Sequence, residues 1–357
     1  MNRVLLILFA VLFTMSIVVI GCEPAVDDEP DEALENDEPE ETIEISLGHM
    51  YAPAHPLHEQ VFEVWAEELE TRTDGRVEVT IHPGASLAGP REIYDAVADG
   101  IMDIGHSAAT YHEHRLPMTN TICQPTLAYT STISSNVLWD IYEEFTEYFE
   151  EEFNDVKLLW LHTNPPTHLH FKGEEVQTLE DLEGLVVSVG DGTTERMMSR
   201  LGVATELIPM AEVYTALDTG VVDGCTLPYA PLRPQGIADL VDHHTEVYLA
   251  NHSFFAVMNL DTWNNLPSEV QDTIEEISGR WAANLTGEVF DKNVVIDKEW
   301  MEEEGHTFYR VPPDEMERWE ALIEPIVDAW VSQLEDQGLP GEEVVREIRR
   351  LTEEYQN

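Results

Sequence analysis

Fourteen histidines stand out among the residues able to do chemistry, several of them in close pairs: His55/His58, His112/His114, His168/His170 and His243/His244. His168 and His170 lie two apart in an extended segment, so both imidazoles face one side. Such an H-x-H pair can chelate zinc, but no cysteine supplements these pairs and ligands from distant segments would have to converge. The stretch EDLEGLVVSVGDGTTERMMSRLG (residues 180–202) reads as strand, glycine turn and helix. Such a turn aims free backbone N–H groups into a crevice. Asp191, Thr193 and Thr194 are suited to capping that helix, and Arg196 and Arg200 read as solvated on it. There is no G-x-S-x-G, no H-E-x-x-H and no phosphate-loop lysine, so no enzyme, resident metal or cofactor is expected.

The elements that must position these groups are visible in an internal repeat. REIYDAVADGIMDIG (Arg91–Gly105) and AEVYTALDTGVVDGC (Ala211–Cys225) match at Glu92/Glu212, Tyr94/Tyr214, Ala96/Ala216, Gly100/Gly220 and Asp103/Asp223, always 120 residues apart. Each copy begins at helical spacing, stops at a glycine and enters a short apolar strand. Strands are expected at 43–48, 77–82, 156–162, 168–171 and 185–189, with helices at 56–72 and 195–201. The chain is therefore read as α/β with two similar lobes, and near-duplicate lobes enclose a cleft edged by loops at the carboxyl ends of strands. From Pro267 one long helix, bent or straight, is expected to about Glu304, followed by amphipathic helices at 314–337 and 342–354 that can brace both lobes.

Composition narrows the partners. Seventy-one acidic residues stand against 18 basic ones, a formal net charge of −53. Nucleic acid is a poor partner for such a surface, and self-repulsion on this scale predicts a protein adapted to salt and exposed to its medium. Only four of the basic residues are lysines, in keeping with alkaline conditions where arginine stays charged. The N-terminus is a targeting signal, with Arg3 before an apolar run from Val4 to Ile20 and then Gly21-Cys22. The pattern resembles a lipoprotein signal over residues 1–21, with Cys22 lipidated and the chain anchored to the outer face of the cell membrane; a retained transmembrane anchor is the alternative. Residues 22–42 follow as a tether, with 11 acidic residues and no basic one between Glu23 and Glu41. Cys123 and Cys225 could pair in an oxidising compartment, but the repeat places them in different lobes, so two buried thiols is the plainer reading.

DGRVEVTIHPGASLAGPREIYDAVADGIMDIG, the Gly184-Leu185 strand, PMAEVYTALDTGVVDG and NLDTWNNLPSEVQ together resemble the solute-binding subunits of tripartite ATP-independent periplasmic (TRAP) transporters, of the dicarboxylate-binding type. The likeness runs from Ile43 to roughly Val311. It implies a two-lobed periplasmic-binding-protein-like fold with a ligand cleft, crossing strands and a long helix spanning the lobes. Lobe one would be residues 43–165 plus 253–292, and lobe two 166–252 plus 293–357. It further implies a small organic solute trapped by lobe closure and passed to membrane permease subunits driven by an ion gradient.

The resemblance also implies a site, and this sequence departs from it. An arginine that forks onto the substrate carboxylate is replaced by Ser188, and an asparagine position by Leu227. A serine hydroxyl cannot replace a bidentate guanidinium–carboxylate pair. Expected contacts are His49, Tyr51, Arg91, His106 and Ser107 on lobe one, His168, Ser188, Asp191, Met210 and Leu227 on lobe two, and Phe254 at the crossover. The expected ligand is an organic solute with substantial apolar or neutral hydrogen-bonding surface, or a monocarboxylate held by Arg91 or His168. The rival readings are a metal-binding transport lipoprotein and a sensor that passes its ligand to a signalling receptor.

Overall fold

The structure, a computed structural model, describes residues 42–127 and 129–357. The signal segment, Cys22 and all but the last residue of the tether lie outside the described residues. No helix among the described residues is long and apolar enough to cross a membrane.

The first half of the chain runs β1 (Ile43–His49), a π turn at His58–Phe62, α1 (Glu63–Arg72), β2 (Val77–His82), α2 (Ile93–Ala98), β3 (Ile104–Ala108), α3 (Ser131–Glu144), α4 (Thr146–Glu152) and β4 (Val156–Thr163). The second half continues with β5 (His168–Phe171), β6 (Val186–Val189), α5 (Gly192–Arg200), β7 (Ala204–Leu207), α6 (Met210–Asp218), β8 (Gly224–Leu227) and β9 (His243–Glu246). Then come β10 (Ser253–Asn259), α7 (Leu260–Asn265), α8 (Ser268–Ile277), α9 (Gly279–Glu303), β11 (Thr307–Arg310), α10 (Pro313–Asp336) and α11 (Gly341–Gln356).

These strands form two sheets, ordered β2-β1-β3-β10-β4 and β11-β9-β5-β8-β6-β7. Each sheet has a parallel part and one antiparallel strand inserted from across the molecule. β10 lies antiparallel between β3 and β4, and β5 lies antiparallel between β8 and β9. The chain thus crosses between sheets twice, and the crossing segments pair with each other: Asn164 N donates to His252 O (3.0 Å), Thr167 N to Ala250 O (2.8 Å) and Leu249 N to Thr167 O (3.1 Å). β3 and β10 are buried along their whole lengths, as central strands covered on both faces must be. Leu47 and Phe255, both fully buried, each stabilise the first core by about 1.5–3 kcal/mol.

The repeat folds as its spacing predicts. Gly100 and Gly220 end their helices at φ 72° and 71°, a left-handed conformation that glycine adopts without a Cβ penalty. The next residues close matching turns, Ile101 N to Ala96 O at 2.8 Å and Val221 N to Ala216 O at 2.9 Å. The two tyrosines diverge: Tyr94 is 0% exposed and Tyr214 41%.

The single helix expected from Pro267 is instead two. It breaks at Ser278, and Gly279 takes φ 51°. The tight fit against Trp139, whose ring would lie 3.0 Å from a Cβ at residue 279, explains the glycine. Ser278 Oγ accepts the Trp65 indole N–H at 3.3 Å. α9 then spans the halves, with Val289 and Phe290 in the first core and Met301 in a cluster of the second. α10 does likewise: Trp319 and Ile323 pack in the second half, while the Trp330 indole donates to Thr121 Oγ1 at 3.1 Å. The sequence-based boundaries place all of 293–357 with lobe two, yet Val344, Val345, Ile348 and Leu351 of α11 pack in the first core. An amphipathic stripe says that a helix is buried on one face, not which neighbour covers it.

Candidate ligand-binding site

In the first sheet, the carboxyl ends of β1 and β3 and the start of β10 gather a cluster of rings. Tyr51 stacks on His55 (centroids 4.1 Å) and lies 5.7 Å from His106 and 6.4 Å from Phe254. Phe254 is parallel to His106 (5.7 Å, 6°) and to His162 (5.0 Å, 5°). Phe290 of α9 closes the group, 6.4 Å from His55 and 6.1 Å from His162. His49 lies beneath, stacked on Phe62 at 4.4 Å.

Hydrogen bonds fix much of the proton placement here. The Tyr51 N–H donates to His49 Nδ1 at 3.2 Å, so the His49 proton is on Nε2, which meets His58 Nδ1 at 2.9 Å. His58 Nε2 in turn faces Glu63 at 3.3 Å. His106 and His162 join through their Nε2 atoms at 2.7 Å, and the buried His106 Nδ1 has no partner. Burial holds these imidazoles neutral: it lowers His49 to about 3, His55 to about 4 and His162 to about 3, and His106 well below its ordinary value.

The other residues expected to touch ligand on this side separate. Ser107 points to the opposite face of β3, where its hydroxyl donates to Pro90 O at 2.6 Å, tying the loop before α2 to the sheet. Arg91 is exposed, its guanidinium 4.7 Å from the Tyr111 ring centroid.

In the second sheet, β6 carries Ser188, 2% exposed, in register with Glu206 of β7 and Cys225 of β8. Asp191 caps α5, accepting from Thr194 N (2.9 Å) and Thr194 Oγ1 (2.8 Å). Its carboxylate also lies 3.4 Å from His252 Nε2, and this contact, with the hydrogen bonds, holds the carboxyl well below its ordinary range against the opposing effect of burial. Leu227 is buried at the end of β8, its carbonyl 2.9 Å from His170 Nε2. Met210 opens α6 and is 39% exposed.

His168 does not supply the cation considered for it. Burial lowers its pKa well below the usual value, and its Nδ1 accepts the N–H groups of Val247 (3.3 Å) and Tyr248 (3.4 Å). It packs between Tyr229 and Tyr248, each at 5.0 Å. His170 continues into a buried chain, Nδ1 to His244 Nδ1 at 2.7 Å and His244 Nε2 to His306 Nδ1 at 2.9 Å. Because the Leu227 carbonyl can only accept, His170 Nε2 donates to it, and each neutral ring down the chain takes one defined tautomer. No group of three or more His, Cys, Asp or Glu among the described residues could hold a metal ion. Cys123 and Cys225 are both free and buried.

His162, His252 and Phe290 join these groups without having been singled out, and His55, noted only as half of a close pair with His58, joins through its stack on Tyr51. The alternation from Phe254 back to His252 and the H-T-N crossing at 162–164 are the signals that could have pointed to two of them. Nothing in the sequence brings His55 to Phe290.

Two sheets joined by paired crossing segments, each holding one antiparallel strand, define a two-lobed α/β fold of the periplasmic-binding-protein type. Residues 47–333 match the bacterial extracellular solute-binding protein family 7, DctP, and the chain belongs to that family. It is 25% identical over 307 residues to the outer membrane transporter protein TsaT of Comamonas testosteroni, covering 84% of this chain and 89% of that one. To the C4-dicarboxylate-binding periplasmic protein DctP of Rhodobacter capsulatus it is 23% identical over 329 residues, covering 88% and 92%. Among solved structures, a TRAP periplasmic solute-binding protein of Desulfovibrio salexigens in an open complex superposes with a TM-score of 0.82 at 28% identity, over 88% of this chain and 96% of that one. Another from Bordetella bronchiseptica, with bound (R)- and (S)-mandelate, superposes with a TM-score of 0.78 at 25% identity, over 88% and 99%. The chain is thus a TRAP solute-binding protein: it captures a small organic solute between its lobes for uptake through membrane permease subunits.

Proposed function

We propose that the captured solute is a flat, largely apolar monocarboxylate, an aromatic acid by preference, and not a short dicarboxylate. The observation that carries this is the ring cluster of Tyr51, His55, His106, His162, Phe254 and Phe290. Its imidazoles are depressed by burial, so it holds apolar rings and neutral nitrogens in place of cations. Parallel and edge contacts between rings add about 0.5–1.5 kcal/mol each to the burial of a flat solute. Ser188 offers a hydroxyl where the resemblance implies a guanidinium, which removes the strongest reason to bind two carboxylates. The mandelate in the Bordetella bronchiseptica protein is a ligand of the favoured class. Of the residues expected at the site, Tyr51, His106 and Phe254 form its aromatic wall, and His49 lies beneath them, tilted against Tyr51.

Calorimetry with mandelate, benzoate, succinate and malate tests the reading. Mandelate or benzoate binding, with succinate and malate silent, is the expected outcome. Tight binding of succinate or malate overturns it.

The same reading keeps lobe one at 43–165 plus 253–292 and lobe two at 166–252 plus 293–357, with α11 resting on lobe one, and assigns the chain no catalytic role. It places the domain outside the cytoplasmic membrane, held by a lipid on Cys22 and the tether of residues 22–42. A mature protein whose intact mass equals residues 22–357 plus acyl groups supports the anchor, and a mass retaining residues 1–21 sinks it.

A further inference from the structure

The basicity of the His252 imidazole is raised, the hydrogen bond and charge of Asp191 outweighing burial. The geometry that does this is specific. Nε2 faces the Asp191 carboxylate at 3.4 Å, and both side chains are only part exposed, at 28% and 29%. Asp191 cannot swing away, because Thr194 N and Thr194 Oγ1 hold it at the cap of α5. The His252 backbone is fixed on both sides by Asn164, which accepts from His252 N through Oδ1 at 2.6 Å and donates N–H to His252 O at 3.0 Å. The ring is therefore pre-placed between the lobes, one edge spent on Asp191. Its other nitrogen, Nδ1, has no hydrogen-bond partner among the described residues and is not buried out of reach. His252 and Phe254 are two residues apart on an extended crossing segment, so they face the same side.

We propose that His252, oriented by Asp191, donates its Nδ1–H to the carboxylate of the bound solute, so that the aromatic wall takes the ring and this one imidazolium takes the acid. The inference rests on the monocarboxylate reading above and names the group that completes it. It also gives Asp191 a positioning role: an anion facing a cleft that must accept an anion is tolerated because it is spent on the far edge of the imidazole, where it keeps that ring protonated. The charged groups around the pair are few. Asp191 is on α5, and the Arg196–Glu113 pair, at 3.9 Å, joins the same helix to the loop after β3. Asn164 and Ser253 are neutral, and Cys123, which contacts Ser253 at 3.2 Å, is pushed by burial up to about 12 and stays a thiol.

The sign follows from a base whose pKa is raised. The imidazolium is present below that pKa and lost as pH rises through it, so carboxylate affinity falls toward alkaline pH, by up to about tenfold per unit. The test is calorimetry of the full mature chain with mandelate and with its uncharged amide, mandelamide, at about pH 6 and about pH 9, in buffers of different ionisation enthalpy. Wild type is expected to bind mandelate more weakly at the higher pH and to take up a proton on binding there. His252→Gln is expected to weaken mandelate by about tenfold or more at the lower pH, abolish the pH dependence and leave mandelamide unchanged. Asp191→Asn, which keeps a capping side chain, is expected to move the midpoint of the pH dependence downward. Mandelate binding that is unaltered in His252→Gln, or that falls equally for mandelate and mandelamide, overturns the assignment while leaving the aromatic-acid reading intact. Failure of wild type to bind either compound overturns both.

Discussion

Asp103 and Asp223 do the same job in the two halves of the molecule. Each carboxylate accepts the backbone N–H of a strand in its own sheet: Asp103 that of Ser46 on β1 at 2.9 Å, and Asp223 that of Val186 on β6 at 2.8 Å. Asp103 does more, accepting also from Ser46 Oγ at 2.7 Å and Thr262 Oγ1 at 2.7 Å. Removing either leaves a strand N–H without its partner. Asp223→Ala is expected to cost about 1–3 kcal/mol and Asp103→Ala more, as it strands several donors at once. Urea melts of the two variants check the order, and equal midpoints for both would contradict it.

Acid is expected to unfold the protein through its imidazoles. Burial lowers His49 to about 3, His162 to about 3 and His170 to about 4. An unfolded histidine takes a proton near 6.5, so below that pH the unfolded chain binds protons that these folded rings refuse. Their stabilisation is complete above about pH 6.5 and lost as pH falls toward the folded values. Urea midpoints should therefore drop steeply as pH falls from about 6.5 toward about 4.5. A flat profile over that lower range would show that the rings are not held neutral.

Salt should act in the opposite direction. With a formal net charge of −53, the compact state repels itself, and raising ionic strength shortens the reach of that repulsion from about 10 Å at 0.1 M to about 3 Å at 1 M. The melting temperature is expected to climb over that range. A melt that does not rise removes the case for adaptation to saline surroundings.

Gly279→Ala tests the break between α8 and α9. The φ of 51° and the 3.0 Å approach to Trp139 both penalise a Cβ, so the variant is expected to lose about 1–2 kcal/mol despite alanine's better helix propensity. A stabilised variant would mean that the two helices prefer to fuse.

Cys123 and Cys225 should be silent to a thiol reagent in the folded protein. Burial pushes Cys123 up to about 12 and raises Cys225 further still, so neither offers thiolate at neutral pH. These two thiols should react only after unfolding, and rapid labelling of either in the native protein would contradict the buried placement.

Much of this architecture could be read from the residues themselves. The 120-residue repeat, its glycine stops and its apolar strands announced two α/β halves, because helix ends and strand faces are local properties of spacing and residue type. The placement of Tyr51 and Phe254 near strand ends was legible for the same reason. Partnership was not. Ser107 looked like a cleft contact until Pro90 took its hydroxyl, and His168 looked like a cation until two backbone N–H groups occupied its Nδ1. Tyr94 and Tyr214 share a repeat position, yet one is core and the other surface. Asp191 and His252 lie in separate elements and meet only because the crossing segment brings them within 3.4 Å. Periodicity tells which way a side chain points. Which group it then meets, and so whether it keeps a charge, a proton or a free edge for a ligand, depends on the packing of elements distant in the chain.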